Sequence, residues 1–100
     1  MAKLDIYISP SSSAAYLLDL QDELFDTLST RVVAPMVATE DVDKRMKTLN
    51  PVIRFEGTDY ILMTHLLAAI PITALKKKVG SAASQRDEII ASLDFLFTGI

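Results

Sequence analysis

The chain has no cysteine and no tryptophan, a single histidine and three glycines in 100 residues. Without cysteine there is no disulfide framework, no thiolate metal site and no cysteine nucleophile. Gly57, Gly80 and Gly99 lie too far apart to build a phosphate-cradling loop. Long apolar runs are missing too. The longest, such as 61–63 and 66–72, fall far short of a membrane span. The N-terminal MAKLDIYIS has no apolar stretch of signal-peptide length. These readings lead to the expectation of a soluble, cytoplasmic protein with no metal and no cofactor. A broad basic surface of the kind that binds nucleic acid directly is also lacking. The formal net charge is −3, and residues 1–50 carry 8 acidic against 5 basic side chains.

What is present is apolar. Half of the residues are hydrophobic and 23% are charged, which excludes a disordered chain. One domain, residues 1–100, is the expectation. So small a domain leaves apolar surface over, which points to an oligomer or a partner groove.

Leu4, Ile6 and Ile8 alternate with polar residues and read as a strand, broken by Pro10-Ser11-Ser12-Ser13. Residues 16–21 read as its hairpin partner. Arg31 to Thr39 reads as a third strand in which Pro35 marks a bulge or an edge. The charged stretch 40–49 reads as a turn or one helical turn. The clearest hairpin runs from Pro51 to Thr64 around Gly57-Thr58. A proline-interrupted strand at Ile70-Pro71-Ile72 and a lysine-rich loop, Lys76 to Lys78, follow. That loop reads as the one basic cluster, solvated rather than functional. The acidic run Asp19, Asp22, Glu23 and Asp26 likewise reads as solvated carboxylates.

Residues 84–97 read as a helix. Ser84 with Asp87 suggests an N-terminal cap, and Asp87 and Glu88 suit the helix dipole. Ile89, Ile90, Leu93 and Phe97 mark a buried stripe, and Gly99 fits the C-cap. The fold class is mainly β with a C-terminal α-helix, a small barrel-like sheet with the helix packed on it. His65, the lone histidine, reads as a partly buried structural residue. The side-chain chemistry favours an interaction protein over an enzyme.

An ordered series of residues carries a resemblance. It comprises Asp19-Leu20-Gln21, Asp26-Thr27, Arg31, Pro35, Asn50-Pro51-Val52, Met63-Thr64, Ile70-Pro71-Ile72, Arg86 and the closing Phe97-Thr98-Gly99-Ile100. With these the chain resembles the CcdB toxins of toxin–antitoxin pairs. The resemblance implies an SH3-like β-barrel, a homodimer and no catalytic activity. It implies binding to the DNA gyrase A subunit, where the toxin traps the gyrase–cleaved-DNA complex. A CcdA-like antitoxin would neutralise it through a segment that folds on binding, and the pair would repress their own operon. DNA would be contacted only through that antitoxin complex.

The implied gyrase-binding residues are Leu24 and Phe25, then Asp94, Phe97, Thr98, Gly99 and Ile100. Thr98 stands where the family has a tryptophan, and Asp94 where it has an asparagine. Two alternatives follow: the same scaffold with a weakened or different target, and a MazF-like endoribonuclease with Arg31 and Thr30 at its site.

Overall fold

The computed structural model describes residues 3–22 and 27–99. Among these, seven strands form one antiparallel sheet: β1 (Asp5–Ile8), β2 (Tyr16–Asp19), β3 (Thr30–Ala38), β4 (Val52–Phe55), β5 (Thr58–Leu62), β6 (Ala68–Pro71) and β7 (Lys78–Ser81). One helix, α1 (Arg86–Thr98), follows. The strand order is β4-β5-β3-β2-β1-β7, with β6 also on β3. Ile6, Leu18 and Ala34 stand side by side across β1, β2 and β3, and all three are buried. Leu4, Leu20, Met36, Ile53, Leu62, Ala82 and Ile89 complete this core.

The sheet curls into a small, barrel-like half-shell, as the fold class requires. Its curl brings the outer strands β4 and β7 together, with the Phe55 ring against Gly80. Gln85 secures the outer edge of β4: its Nε2 donates to Val52 O (2.7 Å) and its Oε1 accepts from Arg54 N (2.7 Å). An open edge is thereby given side-chain partners instead of being left to pair with another chain.

The β4–β5 hairpin forms as expected, with its turn one residue earlier, at Glu56-Gly57 instead of Gly57-Thr58. Glu56 (φ 51°) and Gly57 (φ 78°) both take positive φ, the two-residue turn whose twist suits paired strands. Pro35 behaves differently from expectation. β3 is central, not an edge: residues 30–33 pair with β6 and residues 36–38 with β5 on one side, while β2 lies on the other. Pro35 sits where β3 changes partner, and its carbonyl accepts from Met63 N (2.9 Å). The missing N–H faces a gap between two neighbours, so no ladder bond is lost.

Two further expectations are corrected. Lys78 is not in a loop but opens β7, opposite Tyr7, and its Nζ meets Asp5 Oδ1 at 3.4 Å. Ser84 does not cap the helix. Ala83–Gln85 is a 3₁₀ turn running straight into α1, and no side chain caps the helix start.

Candidate functional site

The resemblance places its target-binding end on the last turns of α1. The helix docks through Ile89, fully buried, and through Ser92, which the apolar pattern missed. Ser92 Oγ donates to Ile89 O (2.7 Å) and accepts from Thr64 Oγ1 (3.2 Å), so this buried polar pair is satisfied. Phe97 lies eight residues beyond Ile89, which is about 80° further round the helix. It is therefore off the docked face and 72% exposed. The sequence expectation that Phe97 closes the buried stripe is corrected on that ground.

Around Phe97 the surface is simple. Thr98 is exposed, and its Oγ1 donates back to Asp94 O (2.6 Å). Asp94 is exposed one turn earlier. Gly99 takes the left-handed conformation (φ 74°) and donates its N–H to Phe95 O (2.9 Å), ending the helix as expected. Asp94, Phe97, Thr98 and Gly99 thus share one helix end. Leu24, Phe25 and Ile100 lie outside the described residues. This end offers an aromatic ring beside a carboxylate. An exposed aromatic ring of this kind suits a recognition surface.

A second cluster lies at the β2–β3 end. Arg31 is completely buried, which its charge did not announce. Its Nε donates to Asp19 Oδ2 (3.0 Å), while Nη2 reaches Asp19 Oδ1 (3.1 Å) and Gln21 O (2.6 Å). Gln21 returns a bond from its N–H to Asp19 Oδ1 (3.0 Å), and its Oε1 accepts from Val32 N (2.8 Å). Asp19 is thus no solvated member of the acidic run, as the sequence suggested, but half of a buried ion pair. Burial pushes its carboxyl above the ordinary aspartate range, opposed by the Gln21 amide and by Arg31. Thr30 is exposed, but Arg31 is closed to solvent and committed to Asp19. It cannot meet an RNA phosphate in this arrangement, as the endoribonuclease alternative asks.

His65 is exposed rather than partly buried, in a 3₁₀ turn spanning Thr64–Leu66. Among the described residues no group of three His, Asp or Glu side chains could hold a metal ion. No helix there is long and apolar enough to cross a membrane.

A family model described as CcdB protein matches residues 3–99. The chain belongs to the CcdB family. It is thereby a toxin-type member of the type II toxin–antitoxin systems. Among solved structures it is similar to one described as an endoribonuclease in complex with its cognate antitoxin, from Mycobacterial species. The TM-score is 0.76 with 11% identity, over 96% of this chain and 93% of that one. That likeness is one of fold.

The sequence carried no pointer to one assembly: Lys44 and Arg45 line a hollow together with His65. Reading Lys76–Lys78 as the one basic cluster missed it. Lys44, Arg45 and Lys47 are interrupted by Met46 and preceded by Asp41 and Asp43. His65 lies far along the chain.

Proposed function

We propose that this chain is a gyrase-directed toxin. In this reading a cytoplasmic homodimer presents the α1 end to the DNA gyrase A subunit, and a CcdA-like antitoxin neutralises it and joins it in repressing their operon. The toxin makes and breaks no bond itself. By binding the cleaved gyrase–DNA complex more tightly than the resealed one, it shifts the equilibrium toward cleavage. The observation that carries the reading is Phe97, a large aromatic ring 72% exposed on the helix that ends at Gly99. Leaving such a ring in water loses its burial free energy unless a partner covers it.

Thr98 sets the expected strength. Replacing a hot-spot tryptophan with a small residue costs about 2 kcal/mol or more, about 30-fold in dissociation constant. Wild type should therefore stabilise cleavage complexes weakly. Thr98→Trp should strengthen binding with little effect on folding, since Thr98 is exposed and bonded only to Asp94 O. Phe97→Ala should remove the activity that remains. A gyrase–DNA cleavage assay on the three proteins tests this. If none forms a cleavage complex, Thr98→Trp included, gyrase is not the target.

A further inference from the structure

We propose that the hollow between the 43–49 loop and the His65 turn binds a phosphomonoester carrying an apolar body, in its simplest form a nucleoside monophosphate. The hollow measures about 480 Å³ and is lined by Lys44, Arg45, Met46, Leu49, Asn50 and His65. That volume lies within the range of small-molecule sites. None of these six is a carboxylate, although the chain as a whole is acidic.

The cations here are available. Arg31, Arg54, Lys78 and Arg86 each meet a carboxylate, whereas Lys44 and Arg45, which line the hollow, form no ion pair among the described residues. Arg45 is also oriented: its Nη1 donates to Asn50 O (2.9 Å) and to Lys47 O (3.4 Å). Its Nε and Nη2 have no acceptor among the described residues. Such a fork, held at one end and free at the other, matches two oxygens of a phosphate.

Asn50 pre-organises the walls. It is 3% exposed, and each polar atom of its amide is used. Oδ1 accepts from Met46 N (3.1 Å), while Nδ2 donates to Leu62 O (3.2 Å) and to His65 Nδ1 (3.2 Å). These bonds settle which way the amide points. They also leave the His65 proton on Nε2, a further donor for an anion. One buried side chain thus ties the basic loop, β5 and the histidine turn together, which lowers the ordering cost of binding. The floor is apolar. Met46, 56% exposed, and Leu49 offer a shelf for a base or similar body. The hollow includes none of Asp94, Phe97, Thr98 or Gly99, so this inference stands apart from the gyrase reading.

Titration of the full-length protein with adenosine monophosphate, inorganic phosphate and adenosine, followed by calorimetry and by the His65 and Met46 NMR signals, tests the proposal. The monophosphate should saturate and move both signals. Phosphate should bind at least about tenfold more weakly, and adenosine should not bind. Lys44→Gln and Arg45→Gln should each weaken the monophosphate by about tenfold, the loss expected for one hydrogen bond to a charged group. Lys77→Gln should change nothing. Lys44 makes no side-chain bond among the described residues, so its variant keeps the test valid if Arg45→Gln loosens the fold. No saturation up to about 10 mM, equal loss with Lys77→Gln, or equal affinity for phosphate and monophosphate would each overturn the proposal.

Discussion

Asp19 and Arg31 make the most consequential contact between two single residues. Both are completely buried, with Arg31 Nη2 2.9 Å from Asp19 Oδ2. A buried pair is costly to desolvate, and removing one partner strands the other. Asp19→Ala should therefore cost about 3–5 kcal/mol in urea unfolding. The double change to Asp19→Leu with Arg31→Met should cost much less, because no charge is left behind. A loss below about 1 kcal/mol for Asp19→Ala would mean that water reaches the guanidinium. The pH dependence has a definite sign. Burial raises the folded-state pKa of Asp19, so its contribution is fully present below the unfolded value, about 3.9, and is lost as pH rises through the folded value. The stability advantage of wild type over Asp19→Asn should therefore widen as pH falls through the folded-state value of Asp19. Charge patterning carries no trace of this pair. Asp19 reads as one of four acidic residues, and only the pairing of β2 with β3, which sets Asp19 opposite Val33, brings it beside Arg31.

At the scale of elements, the curled sheet depends on the meeting of β4 with β7. A Cβ added to Gly80 would fall inside van der Waals contact with Phe55 Cε1 and lie 2.9 Å from Cζ. Phe55 has little room to retreat, since its ring packs edge-on against Tyr16 at 5.1 Å, and Tyr16 in turn against Tyr60 at 5.3 Å. Gly80→Ala should cost about 1–3 kcal/mol, the usual range for overpacking. Phe55→Leu in the same chain should recover part of it. Thermal unfolding of the single and double variants measures both, and an unchanged midpoint for Gly80→Ala would show that β7 can shift outward. The β4–β5 hairpin, the central run of β3 and the helix were legible, because turn chemistry and apolar periodicity are local signals. The partner exchange at Pro35, the strand role of Lys78 and the uncapped start of α1 were not. Each depends on which strand lies alongside, a property of the closed sheet rather than of the segment. The helix end shows both cases at once: Gly99 was readable as a cap, whereas the exposure of Phe97 follows from where Ile89 and Ser92 dock.

For the whole molecule the open question is what covers the remaining apolar surface. Ile8, Leu28, Met46, Leu66 and Phe97 are exposed large hydrophobics. A groove of about 310 Å³ runs past Leu17, Val33, Pro35, Leu66 and Ile70 on the outer side of β3 and β6. Surface of this kind favours association, and the proposed function calls for a homodimer. A two-fold pair would present two copies of the Phe97–Gly99 end on one molecule. Both could then meet a two-fold target at once. The second contact would then be intramolecular, so a contact weakened by Thr98 would still give useful avidity. Light scattering at micromolar concentration should show a species of twice the 11.0 kDa chain mass. Leu66→Glu, placed on the exposed rim of the groove, should shift that species toward monomer if the groove is the interface, while leaving the core intact. The gyrase–DNA cleavage complex formed with such a monomer should fall much further than its loss of one contact surface explains. A wild-type protein found only at 11.0 kDa would refute the dimer. It would also remove the avidity on which the proposed action of a tail without tryptophan on gyrase depends.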